Sequence, residues 1–341
     1  MGGPYRQQGS FGLLFVQGTP AGAHPISHHQ TQASDIPLAI WPTAQVTSQY
    51  QRRGRYLPDS NRHPGKMLPA IARRAITTYS NPGDLVVDPM CGIGTTLVEA
   101  VHAGRHAVGV ELEDRWKTLA EGNLTLAREQ GASGRGTVVQ GDARQLPRLL
   151  VTGARDFLSP ATEPKLARLP YGAVDLVLLS PPYACDLIEV YKTTRPAGHL
   201  KEARNYSGDR RNLGHARGTT YLDAMSEVYE AAAAVLKPGG YLVTVTKSTR
   251  AGGALRDLAG QTVALCQDAG LSYWQHVIGL LATIRDGELV PRPSFWQRLA
   301  VRRALARGDR TQLVGHEDVL VFRKPVADAR SAPARSDRRA S

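Results

Sequence analysis

Short runs of β-branched and aliphatic residues alternate with stretches of helical period along the middle of this chain, and that alternation constrains the fold more than any other feature. Leu85–Asp88, Ala107–Glu111, Thr137–Gln140, Val174–Leu179, Tyr241–Thr246 and Val319–Phe322 read as buried strands, since apolar runs this short suit a strand covered on both faces. Met67–Tyr79, Thr95–Ala103, Arg115–Glu129, Tyr221–Leu236 and Ala254–Asp268 read as helices. Stop signals fall where they should: Asn81-Pro82-Gly83 follows the first helix and Lys237-Pro238-Gly239-Gly240 the fourth. Such alternation builds a mostly parallel, doubly wound α/β sheet with helices on both faces. A last strand after the apolar run Leu271–Ile284 is a candidate antiparallel hairpin partner.

The chain has 341 residues, enough for one large core or two small ones. Sustained periodicity begins near Ile36 and is lost after Pro325, so residues 36–325 are expected to fold, with 1–35 a mobile extension and 326–341 a disordered basic tail. The formal charge of +12 favours polyanionic partners. Three widely spaced cysteines, Cys91, Cys185 and Cys266, support neither a disulfide framework nor a zinc site, and no metal is expected. No signal-like start or membrane-length apolar run is present, which fits a reducing cytoplasm and no membrane partner.

Two constellations carry chemistry. The first is Val86-Val87-Asp88-Pro89-Met90-Cys91-Gly92-Ile93-Gly94-Thr95-Thr96, a strand, a glycine turn and a helix start. Gly92 and Gly94 let the backbone turn tightly and approach a ligand, and the following helix offers free N–H groups beside the hydroxyls of Thr95 and Thr96. Alone this is weak, because many strand–turn–helix junctions need glycine. Its spacing to two acids sharpens it. Glu111, followed by Leu112, ends the next strand, where a carboxylate can accept both hydroxyl protons of a ribose. Asp142, followed by Ala143, comes after the third strand, where a carboxylate can accept from an adenine amino group. Either acid alone reads more readily as a turn or helix-cap residue.

The second constellation is Ser180-Pro181-Pro182-Tyr183, directly after the fourth strand. Its prolines stiffen the backbone and present carbonyls at a strand end. An exocyclic amino group on a base is a poor nucleophile, because its lone pair is delocalised into the ring. Hydrogen bonds accepted by Ser180 Oγ and the Pro181 carbonyl would pull that nitrogen toward tetrahedral geometry and free the lone pair. Tyr183 could stack on the base.

With Asp88–Thr96, Glu111, Gly141-Asp142-Ala143, Ser180–Tyr183, His63-Pro64-Gly65-Lys66-Met67, Leu236–Gly240 and His316–Phe322 together, the chain resembles the DNA amino-methyltransferase family that modifies N4 of cytosine or N6 of adenine. The resemblance covers about residues 36–325. It implies a Rossmann-like class I methyltransferase fold, with a seven-stranded, mostly parallel sheet carrying one antiparallel strand. It implies S-adenosyl-L-methionine as cofactor, held by Lys66, Asp88, Pro89, Met90, Cys91, Gly92, Gly94, Thr95, Thr96, Glu111, Leu112, Asp142 and Ala143, with Ser180, Pro181, Pro182 and Tyr183 as catalytic residues. Ser at the head of the motif implies cytosine more than adenine. DNA is the expected substrate, with RNA as the alternative through similarity to guanosine-N2 transfer-RNA methyltransferases, and a restriction endonuclease is a candidate partner. A non-catalytic cofactor- or nucleic-acid-binding module is the outside reading. Three departures stand out: the glycine motif precedes the Ser-Pro-Pro-Tyr motif, the reverse of many relatives; Met90-Cys91 stands where relatives often carry a Phe beside the cofactor; and no long separate recognition domain is evident.

Two basic stretches could hold the nucleic acid. Residues 184–220 carry Lys192, Arg195, Arg204, Arg210, Arg211 and Arg217, and residues 285–310 carry Arg298 beside Phe295 and Trp296. Lys and Arg neutralise phosphates, and aromatics can stack or wedge where a base leaves the duplex. A solvated loop and helix face is the bland alternative.

Overall fold

A computed structural model describes residues 36–155, 171–182, 209, 211–216, 218–251, 254–292 and 295–326. The expected tails, Tyr183, Lys192, Arg195, Arg204, Arg210 and Arg217 lie outside the described residues, as does Cys185. Residues 36–38 are the described end of an N-terminal unit, and Ala39 begins a second unit that contains everything discussed below.

The strands are β1 (Ile40–Pro42), β2 (Leu85–Asp88), β3 (His106–Glu111), β4 (Gly136–Gln140), β5 (Val174–Leu179), β6 (Leu236–Thr246), β7 (Thr249–Ala251), β8 (Ala254–Arg256), β9 (Ser272–Leu280), β10 (Ala282–Arg285), β11 (Glu288–Pro291) and β12 (His316–Arg323). Eight of them form one sheet in the order β1-β9-β12-β6-β5-β2-β3-β4. Every neighbouring pair is parallel except those of β12, which runs antiparallel to both β6 and β9. This is the Rossmann-like class I methyltransferase arrangement, a parallel doubly wound sheet with one reversed strand. The eighth strand, β1, adds to the expected seven at an edge. It is three residues long and ends in proline, which lacks a ladder donor and is tolerated there.

The helices are α1 (Ser48–Arg52), α2 (Pro69–Tyr79), α3 (Thr95–His102), α4 (Asp114–Glu129), α5 (Leu146–Arg155), α6 (Gly218–Val235), α7 (Leu258–Asp268) and α8 (Phe295–Ala306). Side-chain alternation in the strands feeds two apolar layers. Val86, Leu176, Leu178, Val243, Val245 and Val319 face Ile71, Leu97 and Val98 of α2 and α3. Val87, Val177, Leu179, Leu242, Leu320 and Phe322 face Leu146, Leu150, Val228 and Tyr229 of α5 and α6. Each fully buried side chain of this kind contributes about 1.5–3 kcal/mol.

The chain departs from the sequence expectation in three places. The helix expected from Ala254 starts at Leu258, behind an Asp257 side-chain cap, and Ala254–Arg256 pairs with β7 instead. The strand expected from Tyr241 starts at Leu236, and the Pro-Gly-Gly turn is carried inside it as a register irregularity against β5. Finally, the apolar run Leu271–Ile284 divides: β9 is the expected antiparallel partner of the last strand, β12, while the end of the run enters a separate local hairpin, β10–β11.

Candidate active site

All strands of the sheet except β12 point the same way, so the carboxyl ends of β2, β3, β4 and β5 share one edge. Such an edge is where open α/β sheets take ligands. The turns that leave these four ends line a single cleft of about 850 Å³, counted out to its open mouth.

Its floor is the glycine turn. Asp88, at the end of β2, is buried and accepts from Thr96 Oγ1 at 2.6 Å and from Met90 N at 3.0 Å. Burial pushes its carboxyl up to about 7, against the pull of those two donors. Gly92 takes a φ of +54°, and a Cβ there would come within 3.3 Å of His63 Nε2. Glu111 clamps the turn to β3: one carboxylate oxygen accepts from Gly92 N at 2.8 Å and the other from Glu113 N at 2.9 Å. Burial raises its carboxyl while these backbone donors oppose the shift. At the end of β4, Asp142 caps a single 3₁₀ turn and is held on both oxygens by Arg144, at 3.0 and 2.6 Å, which keeps its carboxyl below the usual range. The bland helix-cap role and a ligand-facing position therefore coexist in one residue, since Asp142 also lines the cleft.

The opposite wall comes from the segment before α2. Lys66 lines the cleft and donates to the carbonyls of His63 and Asn61, and burial lowers its ammonium to about 8. His63 is buried edge-on against Trp116 of α4, with ring centroids 4.5 Å apart. Burial and the nearby Lys66 charge depress its imidazole to about 3. Asn123 of α4 joins these walls. It donates to Ile93 O and Ser60 Oγ, both at 2.9 Å, and accepts from Leu57 N at 2.8 Å.

Of the residues expected to hold the cofactor, Lys66, Asp88, Pro89, Met90, Cys91, Gly92, Thr95, Thr96, Glu111, Leu112, Asp142 and Ala143 all line this cleft. Gly94 does not. It occupies the left-handed N-cap of α3, and a Cβ there would meet Ala120 Cβ at 3.1 Å, so glycine serves the turn and the α3–α4 contact. Ser180 and Pro182 line the same cleft, and Pro181, between them in the chain, is not among its lining residues. Arg211, expected at the phosphates, lines the cleft mouth and pairs with Asp209 at 2.5 Å. Arg298 is exposed on α8 and donates to Pro291 O at 3.1 Å.

His63, Gly65 and Met67 line the cleft beside Lys66, as the resemblance implied for that motif, and Ile93 and Gly141 lie in motifs already noted though they were not named as site residues. Sequence reading missed Trp116, Asn212 and Leu213. These three carry no local signal, because they reach the cleft by tertiary packing. Among the described residues no cluster of acidic, histidine or cysteine side chains could hold a metal ion, and no helix is long and apolar enough to cross a membrane.

A family model described as a DNA methylase matches residues 16–122, which include the glycine motif and Glu111. The DNA adenine methyltransferase YhdJ of Escherichia coli K12 is 36% identical over 98 residues, covering 28% of this chain and 31% of that protein. The type II methyltransferase M.MthZI of Methanothermobacter thermautotrophicus is 44% identical over 54 residues, covering 16% of this chain and 15% of its own. The chain thus spans about a third or less of the length of these relatives. Among solved structures, TrmN from Thermus thermophilus is 19% identical over 80% of this chain and 53% of that one, with a TM-score of 0.42.

Proposed function

We propose that this chain, a relative of the DNA amino-methyltransferases, methylates the exocyclic amino group of a DNA base with S-adenosyl-L-methionine as donor. One observation carries the reading: the acid-and-glycine constellation at the ends of β2, β3 and β4 and the Ser-Pro-Pro segment at the end of β5 open into one cleft.

The residues present fit such a donor. The glycine turn leaves backbone where a Cβ would crowd His63, and Ile93 and Trp116 supply apolar wall. Glu111 and Asp142 spend only part of their acceptor capacity on protein donors, which leaves lone pairs for ribose hydroxyls and an adenine amino group. Lys66 suits the carboxylate of the amino-acid end. When bound, S-adenosylmethionine supplies an electrophilic methyl group.

The protein's own part is to prepare the amine. Ser180 Oγ and the Pro181 carbonyl accept its two hydrogens, hold the nitrogen at the cleft and favour the tetrahedral geometry that develops as it becomes a nucleophile. No strong base is required, because the nitrogen becomes acidic once alkylated and its proton passes to solvent, directly or relayed through the Ser180 hydroxyl. Serine at the head of the motif is more typical of the cytosine enzymes of the family that the chain resembles, and favours N4 of cytosine. The E. coli relative, named an adenine methyltransferase, supports N6 of adenine as the second reading. Ser180→Ala tests the assignment. It should cut turnover at least 100-fold while leaving donor affinity within about twofold. Equal losses of turnover and affinity, or neither, would remove Ser180 from the chemistry.

A further inference from the structure

We propose that the β10–β11 hairpin is a wedge that enters duplex DNA beside the target base, with Ile284 and Leu289 as its inserted pair. The proposal rests on the DNA reading above and gives a route by which a base inside a duplex reaches the cleft.

The argument begins with direction. Because β9 and β12 are antiparallel, and β12 and β6 are antiparallel, β9 runs parallel to β6 and β5. Its carboxyl end at Leu280 therefore lies on the same edge as Ser180, three strand spacings away in the sheet order, or roughly 14 Å. The chain leaves that edge as the hairpin and α8 before returning at His316.

The hairpin has a fixed root and a bare tip. Ala282 and Thr283 are buried, and Gln45 ties the root down by accepting from Thr283 Oγ1 at 2.9 Å and from Arg292 at 3.2 Å. Beyond the root, Ile284 and Leu289 stand directly opposite each other and hence on one face. They are 50% and 59% exposed. The turn is Asp286-Gly287, with φ of +50° and +80° at its two central residues, the geometry that makes a narrow, stiff two-residue tip.

The apolar pair lies on the face of a stiff ribbon, one step back from the Asp286-Gly287 turn, and it gains when a partner covers it. The surroundings indicate what does. At the tip Arg285 stands opposite Glu288, with Asp286 in the turn, so the excess positive charge comes from α8, where Arg298, Arg302 and Arg303 are exposed next in the chain and Arg298 is bonded to the hairpin's last residue. Arginines on the helix beside an apolar ribbon face match a partner with phosphates outside and a stack of flat apolar faces within. Ile and Leu are side chains that wedge between and unstack base steps when they enter from the minor groove. Displacing a neighbour from the stack lowers the cost of extruding the target.

The test compares the parent with an Ile284→Ser/Leu289→Ser double variant on unmethylated amplified DNA, native or heat-denatured. Both residues are exposed, so the fold should survive. The proposal predicts that duplex methylation falls at least 10-fold and single-strand methylation stays within about twofold. Equal rates for parent and variant on duplex, or equal losses on both substrates, would overturn it, the latter also being the outcome if the pair instead joins two copies of the chain. A parent that methylates neither substrate sinks the proposed function and the wedge with it, whereas a parent active on both with an indifferent variant sinks the wedge alone.

Discussion

Glu111 does two things at once: it holds the Gly92 turn against β3 and offers its remaining lone pairs to the cleft. Replacing it with alanine would confuse the two roles, because the Gly92 amide would lose its acceptor. Glu111→Gln keeps one carbonyl acceptor for the turn and loses the charge. It should weaken S-adenosylmethionine binding about 10-fold, or about 1.4 kcal/mol, by calorimetry, with an unfolding midpoint close to the parent's. Undiminished affinity would remove Glu111 from the ligand. His63 carries a prediction about pH. Its folded-state imidazole is depressed to about 3 from the ordinary 6.5, so between those values the unfolded chain binds the extra proton. Its contribution to stability is therefore present above about 6.5 and is lost as pH falls toward 3, at up to about 1.4 kcal/mol per pH unit. His63→Gln removes this component. Measured by urea unfolding, the stability difference between parent and variant should shrink by roughly 2 kcal/mol from pH 7 to pH 4.5. A difference independent of pH would show that folding does not depress the His63 imidazole.

At the scale of elements, the glycine turn works because α3 lies close against β3. Gly109 of β3 marks the contact: a Cβ there would fall 2.6 Å from Leu97 Cδ1 and 2.7 Å from Cys91 Sγ. Gly109→Ala should cost about 1–3 kcal/mol by overpacking, and because Cys91 and Asp88 belong to the same turn, donor binding should weaken with it. Stability equal to the parent's in denaturant unfolding would contradict this packing. Helix α8 bears the other prediction at this scale. Replacing Arg302 and Arg303 with alanine should flatten the salt dependence of DNA binding by roughly two units of log–log slope, if each neutralises a phosphate. An unchanged slope would return them to a solvated face. These elements differ in how far the sequence disclosed them. Strands β2, β3 and β5 were legible because burial on both faces leaves a continuous apolar run in each. Helix α5 was not, because Pro147 and Gly153 read as helix breakers within ten residues, although Leu146 and Leu150 are buried and Leu149 packs beside them. The antiparallel partnership of β9 and β12 was anticipated, but its register was hidden, since register between strands remote in sequence leaves no local mark.

For the whole molecule, sheet direction connects the parts. The turns after β2, β3 and β4 supply acids and glycine, the end of β5 supplies Ser180, and the segment after β9 supplies the exposed hairpin, all at one edge. The sequence disclosed the motifs at these strand ends, because a tight turn and a paired-acceptor site each need particular residue types. It did not disclose that Trp116, Asn123 and His63 tie α4 and the α2 approach together around the cleft, since those residues are recruited through space. The claim that these parts make one enzyme acting on DNA is tested most directly by incubating the protein with methyl-labelled S-adenosylmethionine and separate pools of unmethylated DNA and RNA, then digesting to nucleosides for mass spectrometry. The account predicts label in DNA as N4-methylcytosine. Label in DNA only as N6-methyladenine would overturn the choice of base, and label confined to RNA, or found in neither pool, would contradict the central claim.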